Sequence, residues 1–201
     1  MRLTPRDRRQ DAAVTAVTSP GRTGEVVADV VQAARAGDAA AFTALVRHYH
    51  PRLRALASRL LWDQSAVDDV LQNAYVKAFL ALSDFREDAA LGTWLYQITY
   101  RACVDHHRRE DRNRRLNRQW EPVGGDPHAD PSAAATARAD LARALMGLPL
   151  DQRAAVLLVD AEGLDYRTAA SILGVASKTL SSRLSRARSA LRAALTEGDT
   201  R

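Results

Sequence analysis

Apolar residues recur at intervals of three and four along most of this chain and hardly anywhere at intervals of two. Its buried surface must therefore be assembled from helical stripes rather than from the face of a sheet. The clearest stripe runs Phe42, Leu45, Val46, Tyr49, Leu53, Leu56, Leu60, and a second runs Val67, Val70, Leu71, Ala74, Ala78, Phe79. The pattern fails once in the interior, where EPVGGDPHADPS gathers Pro, Gly and Asp that would strain or unpair a packed element. The expected architecture is all-α, with two small helical domains joined by a flexible linker.

The first block opens after a tail. Residues 1–25 mix Arg, Asp, Thr, Pro and Gly with no apolar repeat, too little buried surface to offset the entropy of ordering. From Val26 a short helix is expected, ended by Gly37 and followed by one that Asp38 caps. Pro51 inside that second helix removes an internal hydrogen bond and predicts a kink or break near His50. Ser65 with Asp68 has capping-box spacing at the head of a third helix. After Leu82 the turn-forming segment SDFREDAALG precedes a fourth helix with Leu91, Trp94, Leu95, Ile98 and Ala102 in register. The domain is taken as 26–110, and residues 111–132 as the linker.

The second block, 133–201, starts with a helix marked by Leu141, Leu145 and Met146. Asp151 is expected to cap QRAAVLLVDAE before Gly163, and Asp165 to cap YRTAASIL before Gly174. Ser177 opens a last helix with Leu180, Leu184, Ala187, Leu191 and Leu195 inward. Two capped helices joined by Gly174-Val175-Ala176 have helix-turn-helix length. No acidic residue occurs from Tyr166 through Thr196, so Arg167, Lys178, Arg183, Arg186, Arg188 and Arg192 form an unbalanced positive field. A solvated basic face alone would explain the charge, but not its coincidence with the turn, the caps and the small Ala170.

The formal net charge of +5 and a sequence pI near 9.9 point to a polyanionic partner. A second basic zone, including Arg101, Arg108, Arg109 and Arg112, leaves the helix that carries Trp94, Tyr96 and Tyr100. Aromatic rings beside arginines grip single strands by stacking bases and holding phosphates. One cysteine, Cys103, excludes an internal disulfide and a cysteine-rich zinc site. The histidine pairs His48/His50 and His106/His107 lack the three- or four-residue spacing of helical metal ligands, and no paired-carboxylate arrangement accompanies them. No metal, cofactor or catalytic group is expected. No apolar run approaches ~18 residues and no signal peptide is visible, so the expected protein has no membrane insertion and is cytoplasmic.

DDVLQNAYVKAF from Asp68 to Phe79, FRED, TWLYQITYRACVDHHRR, and LPLDQRAAVLLVDAEGLDYRTAASILGVASKTLSSRLSRARSAL together resemble the two structured domains of extracytoplasmic-function (ECF) sigma factors. The resemblance covers about Val26 to Leu195 in order and spacing. It implies a sigma-2 domain that docks on core RNA polymerase and melts the promoter −10 element, and a sigma-4 domain that reads the −35 element. By position, Asp68, Asp69, Gln72 and Asn73 are implied in polymerase docking. Phe85, Arg86, Trp94, Tyr96, Gln97, Tyr100, Arg101, Arg108 and Arg109 are implied in −10 recognition, and Lys178, Thr179, Ser181, Ser182, Arg183 and Arg186 in the −35 major groove.

Several positions depart from the common pattern. Arg101 stands where many relatives have asparagine, Gln97 where arginine is common, and Lys178 and Ser181 where glycine and lysine are frequent. An unusual promoter preference is implied. The resemblance also implies an anti-sigma factor as partner. The rival reading is a stand-alone helix-turn-helix regulator that binds duplex DNA without joining polymerase.

Overall fold

The computed structural model describes residues 23–61, 63–85, 90–116 and 133–198. The expectations for the tail before Thr23, for Arg86 and for segment 117–132 fall outside the described residues. The described residues form helices α1 (Thr23–Arg35), α2 (Ala39–Leu61), α3 (Gln64–Ala81) and α4 (Leu91–Leu116), with a 3-10 turn at Leu82–Asp84. The second block contributes α5 (Ala133–Met146), α6 (Leu150–Val156) running into a π-helical stretch Leu157–Ala161, α7 (Tyr166–Leu173) and α8 (Ser177–Gly198). No strand is present among the described residues.

In the first block α2 packs on α1, α3 and α4, and α3 packs on α4. Leu53, Leu56, Ala57 and Leu60 from α2 meet Val67, Val70, Leu71 and Ala74 from α3, all essentially inaccessible to solvent. Helix α4 adds Leu91, Leu95, Thr99, Ala102 and Cys103. Gly37, at φ 91°, turns the chain between α1 and α2, and the Asp38 carboxylate accepts from the Ala40 and Ala41 amides. Helix α2 runs without a break through Pro51, so of the expected kink or break the break does not occur. The buried leucines on both sides of the proline hold the two halves in one register.

The cap of α3 also differs. Asp63 is its N-cap, accepting from both the amide and the hydroxyl of Ser65, while Asp68 turns outward to pair with Arg54. Asp at the N-cap reaches the orphan amides of the first turn, whereas Ser65, two residues further on, is already inside the helix. Helix α4 continues to Leu116, past the expected domain end at 110 and into the expected linker. REDRNRRL holds no Pro or Gly, is rich in helix formers, and is braced by His107–Asp111 at i,i+4.

In the second block, Leu158, Ile172, Leu180, Leu184 and Ala187 form the centre. Pro149, not Asp151, occupies the N-cap of α6, and Asp151 lies in the first turn. Asp165 caps α7 as expected, accepting from the Arg167 and Thr168 amides and the Thr168 hydroxyl. Gly174 ends α7 in the left-handed region at φ 66°, with its amide bonded back to Ala170 and Ser171. Leu195, assigned inward by periodicity, is exposed, and so are Leu141 and Met146 of α5.

Arg153 joins the blocks. Its guanidinium donates to the carbonyls of Leu145, Met146 and Leu148 around the end of α5, and to the Leu60 carbonyl at the end of α2, at 2.7–3.1 Å. Burial pushes its pKa down, but four acceptors at two negative helix ends keep the cation in place. Helix α7 also lies along α4, and the buried apolar residues of the two blocks form one cluster.

Two stability outcomes follow from this packing. Leu184→Ala, at a fully buried position, should cost about 2–5 kcal/mol, and Leu195→Ala no more than about 0.5 kcal/mol, compared by urea unfolding. The Asp165 carboxyl is held below its ordinary value by its bonds to Thr168 and Arg167. Its contribution is complete above the unfolded pKa and is lost as pH falls through the lower folded one. Asp165→Asn keeps a capping acceptor without a titrating group, so its urea midpoint should fall less steeply than the parent's between about pH 5 and pH 2.5.

Candidate nucleic-acid and polymerase interfaces

Asp165 and Gly174 fix the ends of α7, and the three-residue turn to Ser177 sets α8 across it, the two helices of the expected helix-turn-helix. Leu180, Leu184 and Ala187 bury one face of α8. Lys178, Thr179, Ser181, Ser182 and Arg186 remain exposed on the others. The Ser181 and Ser182 hydroxyls donate to the Ser177 and Thr179 carbonyls, which leaves their oxygens able to accept from outside.

Arg183 stands apart from this set. Its side chain is only 23 % exposed and its Nε lies 3.0 Å from an Asp151 carboxylate oxygen on α6. Arg188 is held bidentately by Asp160 at 2.6 and 3.0 Å, and those bonds raise its pKa. The acid-free run from Tyr166 to Thr196 is thus partly neutralised across the fold by carboxylates from α6 and the π-helical stretch. Linear sequence hid that pairing because each acid lies more than 25 residues from its arginine.

On α3, Val67, Val70, Leu71, Ala74 and Ala78 face the core, whereas Asp69, Gln72 and Asn73 are exposed. Asn73 donates to the Asp69 carbonyl at 2.9 Å within the helix. The same outward face continues at spacings of three and four to Val76 and Leu80, 53 % and 72 % exposed. Phe79, expected inside, is exposed too and meets Phe42 edge-on at 5.1 Å. Nothing in the local sequence marks Val76 and Leu80 as the apolar half of this face, because periodicity does not show that they stay uncovered.

The aromatic-arginine constellation on α4 divides. Phe85 is buried and packs on Trp94 at 5.1 Å, so its ring supports the loop base from inside rather than offering a stacking surface. Trp94 and Tyr100 are half-buried, and Arg101, Arg108 and Arg109 are exposed. Tyr96 is buried and donates through its hydroxyl to Glu162 at 2.6 Å; burial first, then this bond, raises its pKa. Gln97 donates to the Ser171 carbonyl on α7 at 2.7 Å.

A groove of about 470 Å³ between α3 and α4 is lined by Asn73, Lys77, Arg108, Arg109 and Arg112, with Asp105 the one acid on its wall. A second cleft, of about 480 Å³, lies between Tyr100, Arg101 and Arg108 of α4 and Leu173, Val175 and Arg183 of the second block. The first suits an anionic chain by charge, whereas Asp105 and Asp151 on the wall of the second offset most of its arginines. Cys103 is fully buried, and burial pushes its thiol up to about 12, which makes it a core residue rather than a nucleophile. Among the described residues no group of three or more metal-ligating side chains exists. No described helix is long and apolar enough to cross a membrane.

A basic helix-turn-helix behind a four-helix domain with an arginine-lined groove defines a two-domain helical DNA-binding class. The two blocks match, in order, the families Sigma-70 region 2 over residues 45–113 and Sigma-70, region 4 over residues 138–191. The chain is 38% identical over 180 residues to the ECF RNA polymerase sigma factor SigM of Mycobacterium tuberculosis, spanning 88% of each chain. The sigma factor RpoE of Bartonella quintana, solved in complex with the anti-sigma factor NepR, is similar in structure with a TM-score of 0.66 and 28% identity over 77% of this chain and 96% of that one. CnrH, solved with the cytosolic domain of CnrY, gives a TM-score of 0.63 and 28% identity, covering 84% of this chain and 96% of that one. The chain belongs to the ECF RNA polymerase sigma factors.

The charge pairing across the fold is open to a direct test. Asp160→Asn releases Arg188 from its bidentate partner, so binding of random-sequence duplex should tighten and the slope of log K against log salt should steepen by about 0.9, one phosphate contact. Fluorescence anisotropy across a salt series reads both quantities.

Proposed function

We propose that this chain joins core RNA polymerase and directs initiation at promoters whose −10 and −35 elements it reads with its first and second domains, respectively. The carrying observation is that both sigma-70 regions occur in order in one chain that spans 88% of a curated ECF sigma factor. It has no catalytic chemistry of its own, melting being driven by binding, and it works in the cytoplasm beside polymerase. The domain limits follow the sequence reading: sigma-2 over 26–110 and sigma-4 over 133–201.

The α3 face is the docking surface for core polymerase. Asp69, Gln72 and Asn73 supply its polar half, and the exposed Val76 and Leu80 extend it with an apolar half that a partner would desolvate. Asp68 braces the face through Arg54. On α8, exposed Lys178, Thr179, Ser181, Ser182 and Arg186 enter the −35 major groove with Arg183, where bidentate arginine contacts specify guanine. On α4, Trp94 and Tyr100 face the opened −10 strand with Arg101, Arg108 and Arg109 on its phosphates, and Tyr96 and Gln97, bonded here to Glu162 and Ser171, belong to this set by position. Arg86 belongs to this set by position, and Phe85 acts by supporting Trp94. RpoE was solved with the anti-sigma factor NepR and CnrH with the cytosolic domain of CnrY; an anti-sigma factor is the corresponding partner proposed here.

Run-off transcription with core polymerase and a genomic fragment library tests the reading: discrete new start sites support it. Tight sequence-specific duplex binding without polymerase, and no new transcripts, would establish a stand-alone regulator instead. Asp69→Arg and Leu80→Asp should each lower co-purification with core enzyme at least tenfold while shifting stability by no more than about 0.5 kcal/mol, as exposed positions do. Arg186→Ala should weaken closed-complex binding whether or not the promoter is pre-melted. Tyr100→Ala should slow opening and be partly rescued by a mismatched bubble over the −10 element, because the unstacking cost has then been met in advance.

A further inference from the structure

The first turn of α4 is gripped from two sides. A Cβ placed on Gly92 would lie 2.9 Å from Cε1 of Tyr49 on α2, and 3.5 Å from its Cζ and hydroxyl oxygen. That is closer than a Cβ and a ring carbon can approach, so the Tyr49 ring fills the space that a side chain at position 92 would need. Trp94, about 200° further around the helix, meets Phe85 at 5.1 Å on the other flank. Leu91 and Leu95 bury the face between the two. Glycine lowers helix stability relative to alanine, and Gly92 is not among the glycines that take a positive φ. The close approach of the ring is therefore the feature of the fold that calls for glycine here. Tyr49 is half-buried and the His48 ring stands edge-on to it at 4.9 Å, so it cannot swing aside without losing packing.

We propose that Tyr49 is a positioning residue for promoter opening: its ring, seated on Gly92, fixes the first turn of α4 and with it Trp94 and the end of the segment that leads into the helix. The assignment rests on the sigma-factor reading above and adds to it a residue that touches neither DNA nor polymerase. Trp94 is the first aromatic of α4 assigned to the opened −10 strand, and Phe85 braces its ring from the loop base. Groups that must meet an unstacked base work when packing holds them within about 0.5 Å of the productive position. Phe85 holds the Trp94 flank, and Tyr49 holds the Gly92 flank from the central helix of the domain. Displacing the ring leaves the turn supported on one side, so strand opening suffers while contacts made further along α4 and on α8 are unchanged.

The test uses the full chain with core polymerase at a promoter identified by run-off transcription, reading opening by permanganate reactivity of −10 thymines and closed-complex binding by filter retention. Helix propensity alone makes Gly92→Ala neutral or stabilising. With the role proposed here the added methyl displaces the ring or the helix end, and Gly92→Ala should slow opening at least fivefold with closed-complex binding within twofold of the parent. Tyr49→Leu empties the seat and should slow opening comparably, whereas Tyr49→Phe keeps the ring and should regain parental opening. Because both substitutions act on one contact, Gly92→Ala with Tyr49→Leu should be no slower than the slower single variant. A mismatched bubble over the −10 element should bring the slow variants to within twofold of the parent. Parental opening by Gly92→Ala, defects that multiply in the double variant, or defects that persist on the bubble would overturn the assignment and leave the sigma-factor reading standing. A parent chain that yields no specific start sites overturns that reading, and the assignment with it.

Discussion

Arg153 is the constraint on which the assembly of the two domains turns. Helices α2 and α5 both end on carbonyls that have no intrahelical partner, and both end near the same point beneath α6. Left unpaired in a partly buried site, each such group costs about 1–3 kcal/mol. One guanidinium meets four of them because its planar fork presents several donors in fixed directions, which an ammonium on a flexible stem does not. The bond to Leu60 links the close of the first domain's central helix to the second domain. The other three fix the angle between α5 and α6, and so the base on which the helix-turn-helix stands.

Much of this was legible in the sequence, and the misses have physical causes. Helical periodicity located every described helix, and Asp38, Asp165 and Gly174 marked ends by chemistry that acts within a few residues. What the sequence did not show depends on distance along the chain. Arg153 reads as an ordinary basic residue inside QRAAV until its carbonyls, up to 93 positions away, are in place. Asp151 looks like a cap because it precedes a helical run; in the fold Pro149 takes that position and Asp151 turns to Arg183. Phe79 and Leu80 show the converse limit: periodicity tells which residues share a face, not whether another protein covers that face.

The candidate site was legible in kind but not in state. Residue types and spacing marked α4 as an aromatic and basic helix, and nothing local distinguishes the buried Tyr96 from the half-buried Tyr100 four residues on. Their difference comes from the second block, where Glu162 at the end of the π-helical stretch takes the Tyr96 hydroxyl and Ser171 of α7 takes Gln97. Arg183 is similarly indistinguishable from Arg186 in sequence, yet one is paired on the cleft wall and the other is exposed.

The same pairing limits how many cations the free chain can offer to DNA. Each basic surface is small, and part of the second is neutralised internally, Arg183 by Asp151 and Arg188 by Asp160. Counterion release grows with the number of phosphates met at once, so halving the surface reduces nonspecific binding far more than twofold. A scaffold that holds the two domains at the spacing of the promoter elements restores the missing contacts without new residues, because the second binding event becomes intramolecular once the first has occurred. Specificity is then set by the spacing as well as by the bases, and a chain that must be placed by its partner before it can read DNA is kept from acting at scattered half-sites.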